Sequence, residues 1–269
     1  MSSRNSKASK SAARERLRIQ REKEAKRAKV RRQILVAASV VVVLGIAGGV
    51  AVAISNANKP TYWSAAAKKS LVKPANTSGT NGTTVIVGDK NNKNTIQEYE
   101  DLRCPICAAY EQEAGAAVLQ GAKDGKYKIE YTFATFLDDK EGGSGSKKAL
   151  SALAAALNVS TDAFEQYHTL LYSKAIHPDE TKDTFNNAAK LISIAQKVPA
   201  LKGNTKFSDA VNKGTFDKWA LTMSAKYDSS PQDIVQNGTP TVVVNGNQVK
   251  VAGLPSAQVM SAIDAQLKK

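Results

Sequence analysis

Alternating apolar and polar positions mark three short stretches in the middle of the chain. Residues 83–88 (TTVIVG), 94–100 (NTIQEYE) and 126–136 (KYKIEYTFATF) follow the period of two that is typical of strands. From position 104 to 122 the apolar residues instead recur with the helical period. We therefore predict two strands, a helix and a third strand in this order.

The pattern becomes purely helical over residues 145–227, where no strand alternation is visible. Ser160 or Thr161 is the expected N-cap of the second helical segment in this block. The block contains four segments with helical periodicity, 146–159, 161–176, 184–198 and 216–227. It reads as a helical subdomain inserted after the third strand.

Strand alternation returns at residues 239–253 (TPTVVVNGNQVKVAG). Asn245-Gly246 at its centre predicts a hairpin with a type I′ turn, because both central positions of that turn need positive φ. A last helix is predicted over residues 256–269, directly after Pro255. The fold class is therefore α/β, in one domain that spans residues 83–269.

The N-terminal quarter has a different organisation. Residues 34–54 run for 21 positions without a charge, which is long enough to cross a bilayer as a helix. Residues 1–33 contain 13 Lys/Arg against 3 Asp/Glu, so the positive-inside rule leaves this tail in the cytoplasm and exports the rest. Residues 55–82, rich in Asn, Ser, Thr and Gly, read as a linker that docks a turn of helix through Tyr62 and Trp63.

Besides a membrane anchor, this region could be a cleaved signal peptide or a nucleic-acid-binding tail. A cleaved signal peptide is the alternative to the membrane anchor, since Ala51-Val52-Ala53 resembles a small-residue cleavage site. Nucleic-acid binding is not expected, although the chain carries a net charge of +14, because most of that charge lies in a tail without aromatic residues. With either a membrane anchor or a cleaved signal peptide, the folded domain is extracytoplasmic.

The only two cysteines of the chain, Cys104 and Cys107, lie three residues apart in DLRCPICAAY (101–110). On a helix this spacing brings the two side chains within reach of a disulfide. Pro105 favours the first helical position, which makes Cys104 the N-cap and directs free N–H groups and the helix dipole at its sulfur. A redox pair is favoured over a structural disulfide, which would close too short a loop, and over half of a zinc site.

The segment EYEDLRCPIC, the helical insertion and NGTPTVVVNG together resemble the DsbA-like group of bacterial thioredoxin-fold thiol-disulfide oxidoreductases. The resemblance covers residues 83–269 and implies a thioredoxin fold with an inserted helical subdomain. It implies that Cys104 is the nucleophile and Cys107 the resolving cysteine. It also implies that Thr239 and Pro240 form a cis-proline loop that binds substrate, and that Glu98 is a buried acid that relays a proton.

The residues between the cysteines are Pro105 and Ile106. The strongly oxidising members of this group carry His at the second of these positions, so Ile106 is a departure from them. Ile106 cannot stabilise a thiolate by charge, so the disulfide should be less oxidising than in those relatives. Arg103 is a cationic neighbour that is expected to compensate in part. His168 is expected to be a packing or surface residue, and residues 136–146 a solvated loop.

These observations predict an extracytoplasmic oxidase that donates the Cys104–Cys107 disulfide to reduced exported proteins, without a cofactor or metal. The resemblance implies a quinone-linked membrane partner that reoxidises the pair. A reductase or isomerase of the same fold is the nearer alternative. A protein-binding module with an inert disulfide is the alternative from outside the enzymes.

Overall fold

The computed structural model describes residues 61–268 and four isolated positions before them, Glu15, Arg18, Lys23 and Lys26. The chain divides into two compact units, 1–61 and 62–269, and the second holds all the elements described below. The predicted membrane segment, residues 34–54, lies outside the described residues. Among those that are described, none of the helices is long and apolar enough to cross a membrane.

Five strands form one mixed sheet in the order β1-β3-β2-β4-β5. Their bounds are β1 Val85–Val87, β2 Thr95–Asp101, β3 Lys128–Ala134, β4 Thr241–Val244 and β5 Asn247–Val249. The central pair, β2 and β3, is parallel, and every other neighbouring pair is antiparallel. This is the sheet of a thioredoxin-like α/β fold, as the sequence predicts.

Helices cover both faces of this sheet. The bounds before the insertion are α1 Tyr62–Ala66, α2 Pro105–Tyr110, a π-helical turn Glu111–Gly115, α3 Ala116–Lys123 and α4 Leu137–Lys140. Those that follow are α5 Gly145–Val159, α6 Thr161–Tyr172, a 3₁₀ turn Thr184–Asn186, α7 Ala188–Ala195, α8 Thr205–Lys213, α9 Asp217–Asp228, α10 Gln232–Asn237 and α11 Ser256–Asp264.

The predicted helical insertion is present as α5 to α9, and Ser160 is the N-cap of α6, where its hydroxyl accepts a hydrogen bond from the Ala163 N–H at 3.0 Å. The sequence analysis missed α8 and α10. Helix α8 has few large apolar residues, and it buries Phe207 and Val211 against the rest of the insertion. The π-helical turn was also missed, because one extra residue in a helical turn leaves no clear mark on apolar periodicity.

The hairpin between β4 and β5 turns at the predicted dipeptide. Asn245 has φ of 50° and Gly246 has φ of 89°, so both central residues adopt the left-handed conformation that a type I′ turn requires. The Asn245 side chain also accepts a hydrogen bond from the Thr95 N–H at 3.0 Å. The turn therefore ties the hairpin to the start of β2.

The compact unit begins at Tyr62, earlier than the predicted domain start at Thr83. The docked turn of helix is α1, whose Tyr62 hydroxyl donates to the buried Asp217 carboxylate. Further along, the Trp219 indole N–H donates to the Gly82 carbonyl at 2.6 Å. Much of the stretch that reads as a linker is thus held against α9 by specific hydrogen bonds.

Residues 136–146 were predicted to be a solvated loop, and this is wrong. They include helix α4, and Asp138 is buried beside the guanidinium of Arg103, with Nη1 and Oδ1 3.0 Å apart. The Arg103 side chain also donates to the carbonyls of Gly142 and Glu180, each at 2.9 Å. A charge cannot be buried without such partners, so the pair joins the end of β2 to the insertion.

Arg103 was also expected to stabilise the thiolate of Cys104. Its guanidinium is instead fully buried and committed to Asp138, and it is not among the main influences on the pKa of Cys104. The expectation is wrong because a carboxylate buried with the arginine offers it a stronger, charge-assisted partner than the Cys104 thiol does.

Replacing Arg103 by Met should destabilise the domain by about 3–5 kcal/mol, because the buried Asp138 carboxylate loses the guanidinium at 3.0 Å and keeps only Lys147 Nζ, at 3.5 Å, as a cation. Chemical denaturation of wild type and Arg103→Met measures the difference. The matched control is Lys182→Met, which breaks the exposed pair with Asp179 and should leave the denaturation midpoint unchanged. Equal stability of Arg103→Met and wild type would contradict the structural role given to this pair.

Candidate active site

The two cysteines stand at the start of α2, where the chain leaves the carboxyl end of β2. Cys104 is the N-cap, with extended backbone geometry (φ −72°, ψ 119°), and Pro105 occupies the first helical position. Both thiols are free in this structure. Cys107, one turn further, is completely buried, whereas the neighbouring Ile106 is 50% exposed. Cys104 is 5% exposed, so both cysteines are buried and Cys107 is the deeper of the two.

Hydrogen bonds lower the pKa of the Cys104 thiol to about 7, from an ordinary value of 9.0. The largest contribution comes from the Cys107 thiol, which donates to the Cys104 sulfur. Burial opposes this effect, and the Thr239 side chain and the backbone N–H groups of Cys107 and Ile106 add to it. The first-turn N–H groups thus act as the N-cap position predicts, although they are not the dominant cause.

The pKa of Cys107 is shifted in the opposite direction, well above 9.0. Burial is the main cause, since a thiolate in the core would lose its hydration. The hydrogen bond that the Cys107 thiol donates to the Cys104 sulfur raises the pKa further, and so does the negative charge of the Cys104 thiolate. Only Cys104 can therefore be a thiolate near neutral pH.

The Thr239–Pro240 loop lies against the active cysteine. The peptide bond between these two residues is cis, and the Cys104 thiol donates to the Thr239 carbonyl at 3.3 Å. The Thr239 hydroxyl oxygen is buried as well. The structure thus brings the cysteine pair, Cys104 and Cys107, together with the Thr239–Pro240 loop, although Cys104 and Thr239 are 135 positions apart in sequence.

Glu98 is buried on β2, facing the helix that carries the cysteines, and its Oε1 accepts a hydrogen bond from the Tyr110 hydroxyl at 2.7 Å. Burial raises its pKa. The carboxyl whose charge acts on Cys107 is however Glu100, two residues further along the same face of the strand. The role of Glu98 in proton relay stays a prediction.

The sequence analysis missed a buried cluster beside the cysteines, which we call the acid–imidazole cluster: Glu100, Glu111 and His168. His168 Nε2 lies 2.8 Å from Glu100 Oε2, and His168 Nδ1 lies 3.9 Å from Glu111 Oε2. Of these three residues, only Glu100 could have been predicted from the sequence, since strand alternation puts its side chain on the same face as that of Glu98. His168 comes from α6 in the insertion, which sequence spacing could not connect to β2.

The three side chains of this cluster offer ligand atoms within 4.8 Å of one another. Among the residues that the structure describes, they are the group whose geometry would suit a metal ion. Burial raises the pKa of Glu100 and Glu111 and lowers that of His168. Each shift favours the neutral form. The cluster can therefore hold protons at neutral pH in an environment that disfavours charge.

A mixed thioredoxin-like sheet with a helical insertion, a capping cysteine followed one turn later by a buried one, and a cis-proline loop against them define a DsbA-like thiol-disulfide oxidoreductase. A sequence model of the thioredoxin family, described as Thioredoxin (Thioredoxin_4), matches residues 80–265. The chain belongs to this family. No curated protein matches it at a significant level.

Solved structures resemble the chain over most of their length. The reduced form of the disulfide bond oxidoreductase DsbG from Mycobacterium tuberculosis is 26% identical, with a TM-score of 0.57, over 69% of this chain and 88% of that one. Reduced DsbA from the same organism is 25% identical, with a TM-score of 0.56, over 68% and 92%. MdbA, a thiol-disulfide oxidoreductase from Actinomyces oris, shares the fold at 18% identity, with a TM-score of 0.59, over 76% and 93%.

In the reduced protein, alkylation of Cys104 by iodoacetamide should show a midpoint near pH 7, while Cys107 stays unreactive up to pH 9 or above. Replacing Cys107 by Ala removes the largest hydrogen bond to the Cys104 sulfur and should move the midpoint to higher pH. Mass spectrometry of the alkylated peptides gives both rates. A midpoint that Cys107→Ala leaves in place would contradict the assigned cause.

Proposed function

We propose that the protein is an extracytoplasmic disulfide donor, which oxidises pairs of thiols in exported proteins with its Cys104–Cys107 disulfide. The observation that carries this proposal is the difference between the two sulfurs. Cys104 has a pKa of about 7 beside the cis-proline loop, while Cys107 is fully buried with a pKa well above 9.0. An inert disulfide would need no such difference.

The difference gives each sulfur a step in the exchange. A thiolate of the substrate attacks the Cys104 sulfur, the bond to Cys107 breaks, and a mixed disulfide forms between substrate and Cys104. A second substrate thiolate then attacks the substrate sulfur of that bond, and Cys104 leaves as a thiolate. Its low pKa makes Cys104 the better leaving group, so the substrate departs oxidised and both cysteines remain reduced.

The Thr239–Pro240 loop supplies the place for the substrate backbone. The Thr239 carbonyl accepts a hydrogen bond from Cys104, and Pro240 directly precedes β4. Exposed Ile106 offers an apolar surface on the other side of Cys104. An extended peptide between them would bring its cysteine to the Cys104 sulfur while its backbone follows the loop.

A reductase or isomerase is the second candidate, and the pKa of Cys104 favours it. A pKa of about 7 stabilises the reduced form less than the value near 3.5 typical of the strongest oxidants, and it is close to that of thioredoxin. The disulfide should consequently be a weaker oxidant than that of relatives with His in place of Ile106. The similar DsbG structure is described as that of a disulfide bond oxidoreductase, which supports thiol-disulfide exchange without giving its direction.

The proposed location follows from residues 1–54. A basic tail before an uncharged 21-residue segment supports a single membrane anchor with the folded domain outside the cell membrane. A domain tethered in this way would meet a membrane-bound, quinone-linked oxidant at high local concentration. Such a partner would accept the two electrons that each cycle leaves on Cys104 and Cys107.

Replacing Cys107 by Ser should trap substrates on the enzyme, because a mixed disulfide on Cys104 then lacks the thiol that resolves it from inside. Cells expressing Cys107→Ser should show Cys104-linked adducts of exported proteins on non-reducing gels, and Cys104→Ser is the matched control that should show none. Absence of adducts with both variants would favour a binding module with an inert disulfide.

The equilibrium reduction potential against glutathione should fall between about −120 and −180 mV if the protein is a donor, and below about −250 mV if it is a reductase. Replacing Ile106 by His should raise the potential, by about 30 mV for each tenfold gain in stability of the reduced form. The exposed position accommodates the ring. Ile106→Gln, polar but uncharged, is the control and should change the potential little.

A further inference from the structure

The turn that leads from β2 into α2 fixes the backbone of Cys104. The Cys104 N–H donates to the Asp101 carbonyl at 2.8 Å, and the Arg103 N–H donates to Asp101 Oδ1 at 3.0 Å. Asp101 therefore closes this turn twice, once through its backbone and once through its side chain. The N-cap geometry of Cys104, on which the stabilisation of its sulfur by the first helical turn depends, follows directly from this turn.

The Asp101 carboxylate is in turn held by groups outside the turn. It is inaccessible to solvent, and the neighbouring guanidinium of Arg103 pairs with Asp138 and not with Asp101. The Ser146 hydroxyl donates to Asp101 Oδ1 at 2.6 Å, and the Leu137 N–H donates to Oδ2 at 3.2 Å. A buried carboxylate needs such donors, because it has lost its hydration. Since the Ser146 hydroxyl and the Arg103 N–H share one oxygen, Ser146 fixes the place of that oxygen.

Ser146 connects this turn to the helical insertion. It is the second residue of α5, and it is inaccessible to solvent. Its backbone N–H donates to Asp138 Oδ1 at 2.8 Å, and the same oxygen accepts a hydrogen bond from Arg103 Nη1 at 3.0 Å. Two carboxylates therefore hold Arg103, Asp101 at its backbone and Asp138 at its guanidinium. Both carboxylates are bonded to one serine of the insertion.

We propose that Ser146 is a positioning residue for the nucleophile: through Asp101 it holds the turn that presents Cys104, so the helical insertion sets how well the Cys104 thiolate is stabilised. Ser146 is not among the groups that bond to the Cys104 sulfur, and it acts only through the backbone of the turn. The inference rests on the exchange at Cys104 that the proposed function uses. It holds for either direction of electron flow.

The physical reason is that hydrogen bonds to a thiolate weaken steeply when the donor and the sulfur move out of line. Without the Ser146 hydroxyl, Asp101 Oδ1 keeps one partner in place of two, and the turn gains freedom of movement. The Cys104 sulfur is then held less well against its donors. The reduced form loses stability relative to the disulfide, so the protein becomes a weaker oxidant.

The test is Ser146→Ala in the full-length protein. This change removes the hydroxyl, keeps the backbone N–H bond to Asp138 and alters no charge. The first measurement is the pH midpoint of Cys104 alkylation by iodoacetamide in the reduced protein. The second is the equilibrium reduction potential of the cysteine pair against glutathione.

Stabilisation of the thiolate should fall about fivefold in Ser146→Ala, the scale of one hydrogen bond. The alkylation midpoint then moves to higher pH. At about pH 8.5, where Cys104 is ionised, the reduction potential should be lower than that of wild type by about 20 mV, which is the same fivefold change. At about pH 6, where the Cys104 thiol is protonated, the two potentials should coincide, because the effect is on the thiolate alone.

Ser151→Ala is the matched control, because Ser151 is a buried serine of the same helix and is not a partner of Asp101. Its midpoint and its potential should equal those of wild type. A Ser146→Ala protein that is less stable in chemical denaturation but keeps the wild-type midpoint and potential would show a purely structural serine and overturn the proposal. Equal shifts in both variants would indicate a general loosening of the insertion and would overturn it as well.

Asp101→Asn shows whether the effect runs through this carboxylate. A neutral amide oxygen accepts the Ser146 hydroxyl more weakly than a carboxylate does. Ser146→Ala should therefore shift the midpoint less in the Asp101→Asn background than in wild type, and shifts that add up fully would contradict the route through Asp101. Failure of every variant and of wild type to exchange with glutathione would remove the proposed function, while the alkylation midpoints would still decide the positioning role.

Discussion

Cys107 is buried completely under the first turn of α2, and this burial determines how the rest of the site has to be built. A thiolate in the core is costly, so the negative charge of the reduced pair must sit on Cys104. The hydrogen bond from Cys107 to the Cys104 sulfur is then the largest stabilisation of that charge. The Cys107 thiol thus stays neutral and at the same time activates Cys104, which is buried less deeply.

The end of β2, next to Cys107, carries three buried acidic residues. Glu98, Glu100 and Asp101 are all inaccessible, although they follow one another in a strand that reads as partly polar. Each carboxyl replaces its lost hydration with a different hydrogen-bond partner. Glu98 is bonded to a tyrosine, Glu100 to a histidine, and Asp101 to the Ser146 hydroxyl and the Arg103 backbone N–H.

The helical insertion is part of the active site rather than an appendage to it. It provides His168 from α6 and, at its start, Ser146 from α5, and both bond to acids of β2. Arg103, the residue before the active cysteine, is held by Asp138 and by the Glu180 carbonyl. Because the insertion satisfies the charges behind the cysteines, the strand that leads into α2 can be buried on both faces.

The amino-acid sequence alone determined the local features of this protein. Strand alternation placed β1 to β5, the Asn245-Gly246 dipeptide fixed the hairpin turn, and Pro105 after Cys104 set the start of α2, because each depends on neighbours in the chain. Helix α8 was not predicted because it is short and has few large apolar residues, and the π-helical turn because one extra residue leaves no clear mark on apolar periodicity. The tertiary structure decided which charged groups meet. Arg103 forms its ion pair with Asp138 and not with Cys104. Glu100 is hydrogen-bonded to His168, which lies 68 residues further along the chain. Burial of an ionisable group is a property of the packed fold, and the partner that satisfies it comes from whichever element the packing brings near.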